Sequence, residues 1–200
     1  MDILGEISLK DDPSKEEKLK SIKDITDQGM EGKLTFRESL IQRVEILNAN
    51  KDQISELISV LMKKVSDSFT RNKEFLLENR EDIYIISNGF KDFVVPIVTS
   101  FGIKPENVFA NEFEYDESGK ITGFNKKNPL SQNNGKPDTI KRLNLSGDIY
   151  VIGDGYTDYE IKASGVANKF YAFTENIHRP SVSSKADHIA PSLDEILYVN

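Results

Sequence analysis

Val151-Ile152-Gly153-Asp154-Gly155-Tyr156-Thr157-Asp158 decides how this chain is read. An apolar run stops in a tight glycine turn that carries one carboxylate, and a second carboxylate follows four residues after the first. The run predicts a buried strand over Ile149–Ile152. The turn places Asp154 and Asp158 near one another in the crevice outside that strand's carboxyl end, where open α/β sheets bind ligands. Hard oxygen donors of this kind suit Mg²⁺, which keeps waters and substrate phosphate in its shell. The glycines on either side of Asp154 let the backbone approach a ligand closely. Without a ligand the same stretch reads as a glycine-rich turn whose Asp caps a helix.

Two earlier stretches follow the same logic. Ile83-Tyr84-Ile85-Ile86 is a short apolar run that predicts a strand ending at Ser87-Asn88-Gly89, with a helix over Lys91–Phe101. The Ser87 hydroxyl and the backbone N–H groups of Asn88 and Gly89 stand at the mouth of that helix, where a phosphate oxygen can be held. A serine helix cap is the plain alternative. Lys136 follows Asn133-Asn134-Gly135 and opens a helix predicted over Asp138–Leu143. There it can neutralise a phosphate and a neighbouring carboxylate, or be a solvated surface lysine.

The rest of the chain frames these motifs. Leu19, Ile22, Ile25 and Met30 keep helical spacing until Asp27-Gln28-Gly29 breaks the pattern. Thr35-Phe36-Arg37-Glu38 resembles a capping box at the head of a second helix through Leu47, which Asn48-Ala49-Asn50 closes. Ile54, Leu57, Ile58, Leu61 and Met62 mark a third. No strand pattern precedes residue 80, so a small helical unit comes first. Strand, turn and helix then alternate, which predicts an α/β fold with a mostly parallel sheet and helices on both faces. Val108–Tyr115 and Ile121–Phe124 flank Asp116-Glu117-Ser118-Gly119 as a hairpin, Val166–Ala172 and His188-Ile189 are weaker strands, and Asn125–Lys136 reads as loop. His178 and His188 lack metal-ligand spacing and read as structural or surface residues.

Bulk properties narrow the function classes. The chain has 200 residues, 38% hydrophobic and 30% charged, enough to bury a real core. A net charge of −7 and a pI near 5.0 argue against nucleic acid or anionic membrane as a partner. The absence of cysteine excludes disulfides and thiolate metal sites and fits a reducing compartment. The first residues lack the basic-then-apolar pattern of a signal peptide, and the longest apolar run, near Phe93–Val98, is far short of the ~20 residues a membrane span needs. A soluble cytoplasmic protein is expected.

Taken in order, Ser87, Gly135-Lys136 and Gly153-Asp154-Gly155-x-x-Asp158 resemble the haloacid dehalogenase (HAD) superfamily of phosphatases, and most closely its phosphoserine phosphatase subgroup. There a helical cap precedes the serine motif, and Met30-Glu31-Gly32-Lys33-Leu34-Thr35-Phe36-x-x-x-Leu40-x-x-Arg43-Val44 is similar to its cap signature. The resemblance spans essentially the whole chain. It implies a helical-bundle cap over residues 1–68 and a Rossmann-like HAD core with a parallel sheet over residues 69–200. It implies that Ser87 and Lys136 hold the transferring phosphoryl group, with Lys136 also offsetting the nucleophile's charge. Asp154 would ligate Mg²⁺ with Asp158 in support. Arg43 would bind the substrate carboxylate, with Met30 and Phe36 lining the cap side of the pocket. The implied substrate is a small phosphorylated metabolite, foremost L-phosphoserine.

The chain departs from the subgroup in three places. Thr157 stands where the family usually has Asn, and Asn88 replaces the more usual Gly after the serine. The third departure bears on chemistry. The family's first motif, Asp-x-Asp-x-Thr or Val, supplies the nucleophile and the general acid from a central strand, and no two Asp residues at i and i+2 occur in these 200 residues. Met1–Glu6 resembles the segment just downstream of that motif, which places the motif before residue 1. Without that strand about three to five side chains lose a buried environment worth ~1.5–3 kcal/mol each. That is on the order of a domain's whole stability, ~5–15 kcal/mol. The expectation is therefore a chain with little or no turnover. The gap would be closed by rearrangement, by dimerisation or by a complementing chain, unless a longer protein supplies the strand. The alternative reading is a non-catalytic protein of the same fold that binds phosphate or phosphoserine, or serves as an interaction partner.

Overall fold

The computed structural model describes residues 1–30 and 33–197, without the Met30 side chain. In chain order the elements are α1 (Asp2–Ser8), α2 (Lys15–Met30), α3 (Phe36–Ile46), α4 (Lys51–Met62), α5 (Asp67–Arg71), α6 (Lys73–Glu78), β1 (Ile85–Phe90) and α7 (Lys91–Thr99). They continue with β2 (Val108–Asn111), β3 (Phe113–Tyr115), β4 (Ile121–Phe124), α8 (Gly135–Leu143), β5 (Tyr150–Gly153) and α9 (Tyr156–Ala163). The last are β6 (Lys169–Phe173), α10 (Pro180–Ser183), β7 (His188–Ala190) and α11 (Asp194–Leu197). The chain forms two compact units, each discontinuous in sequence.

The first unit comprises Met1–Lys64, Ser87–Ile97 and Val108–Asn133. The capping box forms as the sequence predicts: the Glu38 N–H donates to Thr35 Oγ1 at 3.2 Å, and the Thr35 N–H donates to Glu38 Oε2 at 2.9 Å. α3 ends just before Asn48-Ala49-Asn50, as expected, and Asn50 also heads α4, its Oδ1 accepting from the N–H groups of Asp52 and Gln53. Asp27-Gln28-Gly29 does not end α2. A Cβ at Gly29 would stand 3.1 Å from Ser39 Oγ, so the glycine lets α2 and α3 approach closely. Leu4, Leu9, Ile22, Leu40, Val44 and Leu57 form the core, and the β3–β4 hairpin adds Phe113, Ile121 and Phe124. The hairpin turns at Gly119, whose φ of +82° is a left-handed conformation that favours glycine. The Asp116 carboxylate fixes that turn by accepting from the N–H groups of Ser118 and Lys120.

Two strand expectations are corrected in this unit. Val108–Tyr115 splits at Glu112 into β2, which joins β1, and β3, which pairs antiparallel with β4. Glu112 is held by an ion pair to Lys91 at 2.7 Å and by Asn125, whose N–H donates to its carbonyl. The strand expected to stop before Ser87 runs on to Phe90, and α7 starts at the next residue. Pairing with β2 carries the extended backbone through Ser87-Asn88-Gly89, and Asn111 Nδ2 donates to the Asn88 carbonyl at 3.0 Å.

The second unit comprises Val65–Ile86, Val98–Asn107 and the chain from Asn134 onward. Its centre is a three-stranded sheet, β5-β6-β7, parallel throughout. Parallel neighbours need crossovers, and α9 and α10 supply them. The fold is thus the α/β class expected from the alternation. Ile140 of α8 and Ile161 of α9 pack with Val151, Phe170, Ala172 and Val182 in the core. Asn168 and Asp187 pin the strand starts, accepting from the N–H groups of Ile149 at 2.8 Å and Phe170 at 2.7 Å. The Asp194 carboxylate of α11 accepts from Asn72 Nδ2 at 2.8 Å and pairs with Arg71 at 2.7 Å. His188 stacks on Tyr171 with centroids 5.3 Å apart, and His178 is exposed; both serve as structural or surface residues. Among the described residues β5 pairs with β6 alone, so it is an edge strand.

Candidate functional site

The carboxyl end of β5 gathers the acidic and basic residues of the second unit. β5 stops at Gly153, and α9 starts three residues later with Gly155 at its N-cap. Asp158, in the first turn of α9, folds back over that turn: its Oδ2 accepts the Gly155 N–H at 3.0 Å. A Cβ at Gly153 would lie 2.2 Å from Asp158 Cγ, so no other residue fits there while Asp158 keeps this position. The second glycine of the motif is therefore set by N-capping and the first by close approach.

Lys136 reaches this turn from α8. Asn134 takes a left-handed φ of 58° just ahead of the helix, which turns the chain into Gly135-Lys136. Lys136 Nζ donates to Asp158 Oδ1 at 2.6 Å, with side-chain exposures of 10% and 13%. An ion pair this well buried holds both groups in place, because removing either strands the other's charge in a low-dielectric setting. An ammonium has three donors, and Asp158 takes one. The remaining donors can bind the oxygens of a phosphoryl group.

Two further residues belong to this cluster that sequence reasoning missed. Arg179, just ahead of α10, forms an ion pair with Asp154 Oδ2 and donates to the Asp154 carbonyl at 3.1 Å. The two are 25 residues apart and share no motif, so the sequence carries no signal of this contact. Glu160 lies on α9 two residues beyond Asp158. Burial pushes its carboxyl pKa upward, Lys136 pulls it back, and the Asp158 charge pushes it up again.

Asp154 and Asp158 are thus held differently. Both oxygens of Asp158 are engaged, by Lys136 and by the Gly155 N–H. Asp154 is half exposed and keeps Oδ1 beside the oxygen that Arg179 holds. Among the described residues no group of three or more His, Cys, Asp or Glu side chains is placed to hold a metal ion. One free carboxylate oxygen still fits Mg²⁺, which is commonly held by one or two carboxylates plus substrate phosphate and water.

The remaining sequence-derived candidates lie in the first unit. Ser87 is half-buried in β1, and its Oγ accepts the Gly89 N–H at 3.0 Å. A Cβ at Gly89 would press on Ser87 Oγ at 3.1 Å and on the Phe93 ring at 3.2 Å. Arg43 lies in the last turn of α3 and donates from Nε to the Ser39 carbonyl at 3.1 Å. Burial lowers its guanidinium pKa and the nearby Asp2 charge raises it again. Phe36 packs against the helical core. The Met30 side chain lies outside the described residues.

Comparison with known proteins bears on the whole chain. No family model matches it. It is 30% identical over 174 residues to the phosphoserine phosphatase of Methanocaldococcus jannaschii, covering 83% of this chain and 76% of that protein. It is 28% identical over 182 residues to the chloroplastic phosphoserine phosphatase of Arabidopsis thaliana, covering 89% of this chain and 61% of the relative. The chain therefore spans about three fifths of the Arabidopsis protein's length. A solved phosphoserine phosphohydrolase-like protein from Francisella tularensis superposes with a TM-score of 0.81 at 30% identity, covering 98% of this chain and 89% of that one.

Proposed function

The chain belongs to the phosphoserine phosphatase-like family of the HAD superfamily, and from that premise we propose that it forms the phosphate-holding part of a Mg²⁺-dependent phosphomonoesterase site. The proposed ligand is a small phosphorylated metabolite, foremost L-phosphoserine. The buried Lys136–Asp158 pair at the Gly153–Gly155 turn carries this reading, since it fixes an ammonium with donors to spare at the end of a parallel strand. Lys136 binds phosphoryl oxygens, and Asp158 holds the lysine in position. Asp154 is the side chain that would hold Mg²⁺, whose charge, when bound, offsets that of the phosphoryl oxygens. Arg179 restrains Asp154 until a ligand competes for it. The roles proposed for Ser87, Asn88 and Gly89 on the phosphoryl group, and for Arg43, Phe36 and Met30 on the substrate's organic part, rest on the family resemblance alone. With no two Asp residues at i and i+2, the 200 residues supply no nucleophile of the family's kind, and we propose little or no turnover by the chain alone.

Thermal melts with and without inorganic phosphate and Mg²⁺ test this reading. Phosphate at about ten times its Kd stabilises the folded chain by about 1.4 kcal/mol, a rise of roughly 3–6 °C in Tm. The rise is expected in the wild-type chain and not in Lys136→Met. An equal shift in both, or none in either, would remove Lys136 from the proposed role.

A further inference from the structure

The loop that joins β6 to α10 is tied down at both ends. At its start Glu175 meets the head of α5: its Oε1 accepts the Ser68 N–H at 3.0 Å, and its Oε2 accepts from the buried Ser68 hydroxyl. Asn176 beside it donates to Ser66 Oγ. At its end the Arg179 carbonyl accepts the N–H groups of Val182 and Ser183, each at 2.9 Å, which fixes the backbone where α10 begins. Between these anchors Asn176, Ile177 and His178 are exposed. The Arg179 side chain turns to the carboxyl end of β5, where Nη1 pairs with Asp154 Oδ2 and donates to the Asp154 carbonyl at 3.1 Å. One guanidinium nitrogen thus holds two oxygens of the same aspartate.

We propose that Arg179 is a built-in rival cation for Asp154 and that Glu175 is the positioning residue that keeps it in reach, so that this loop sets how tightly the carboxylate takes Mg²⁺. The inference rests on the reading of Asp154 as the Mg²⁺-holding side chain. A cation taken up by that carboxylate shares it with a guanidinium, which is always charged, and like charges at one carboxylate repel. The pair is also open to competition. Its side chains are 30% and 47% exposed, against 10% and 13% for Lys136 and Asp158. A partly exposed ion pair is weak enough to exchange partners, whereas a buried one holds. Lys136–Asp158 is therefore the fixed pair of this turn, and Arg179–Asp154 the exchangeable one. Glu175 acts through the loop. It anchors the chain to α5 ahead of Arg179, and without that anchor the guanidinium is held to Asp154 from the α10 side alone.

The test is the Kd of Mg²⁺ alone for the full chain, by isothermal titration calorimetry. Arg179→Gln, polar but uncharged, is expected to bind Mg²⁺ about fivefold more tightly than the wild type. Arg179→Lys keeps the charge and is expected within about twofold of the wild type. Glu175→Ala, in a chain that still melts cooperatively, is expected to tighten binding about threefold, and to add nothing to Arg179→Gln in the double variant. An affinity in Arg179→Gln equal to or weaker than the wild type, or no binding by either at about 20 mM, would overturn the proposal. An unchanged affinity in Glu175→Ala would overturn its positioning role. Asp154→Asn separates the inference from the reading beneath it. Binding lost in Asp154→Asn but equal in the wild type and Arg179→Gln would leave Asp154 as the Mg²⁺ ligand and remove Arg179 as its rival. Binding that survives Asp154→Asn would overturn both.

Discussion

In the helical unit Leu4, Leu9, Ile22 and Leu40 are at most 1% exposed, and the hairpin residues Ile121 and Phe124 complete their burial at 5% and 3%. On β5 of the sheet unit, Tyr150 and Ile152 stand 52% and 38% exposed and line a cavity of about 510 Å³. The contrast follows from how each element satisfies its backbone. A helix closes its hydrogen bonds within one contiguous segment, so α1 to α4 need only cap their ends and bury one face. A strand depends on neighbours for its hydrogen bonds, and among the described residues β5 has one on one side only. Lys136 and Asp158 pair at the carboxyl end of this strand, beside Asp154 in the turn that follows it.

Mutations can break this comparison. Phe170→Ala, at 0% exposure on the closed side of β5, is expected to cost about 4 kcal/mol in urea unfolding. A cost below about 1 kcal/mol would show that the sheet unit lacks a consolidated core on either side. Lys136→Met strands the buried Asp158 carboxylate and is expected to cost about 3 kcal/mol, with part recovered in the Lys136→Met/Asp158→Leu double variant. Full additivity of the two changes would contradict a coupled pair. Thr35→Ala removes one partner of the α3 capping box and is expected to cost about 1 kcal/mol, a local effect that leaves phosphate binding unchanged.

The smallest effect is a pH dependence. Asn72, and then Arg71, hold the Asp194 carboxyl at about 2, below its ordinary 3.8. A depressed carboxyl stabilises the fold fully above its unfolded value, and that contribution fades as pH falls through the folded value. Between 3.8 and about 2 the wild-type chain should therefore lose stability more steeply than Asp194→Asn. Parallel slopes in an acid titration of Tm would remove Asp194 from the account.

The sequence made local features legible and long-range ones obscure. The capping box at Thr35 and Glu38, the turn at Gly153 to Gly155 and the α/β alternation are written within a few residues, and the structure reproduces them. The boundaries that moved were set by partners far along the chain. β1 runs through Ser87 because β2, some twenty residues on, pairs with it, and α2 passes Gly29 because Ser39 accepts the close approach. Arg179 has no sequence signal for the same reason: its contact with Asp154 is made by the return of the chain through β6, which no spacing rule encodes. Asn48-Ala49-Asn50 closes α3 as the sequence predicts, and the second role of Asn50, heading α4, is signalled by Gln53 three residues on.

The decisive assay is phosphate release from L-phosphoserine by the full 200-residue chain with Mg²⁺, beside an Asp154→Asn control. No release above background is expected from either protein, from a chain that melts cooperatively and is stabilised by phosphate. Turnover by the wild-type chain that vanishes in the control would contradict it, and would mean that a carboxylate already within these residues performs the attack.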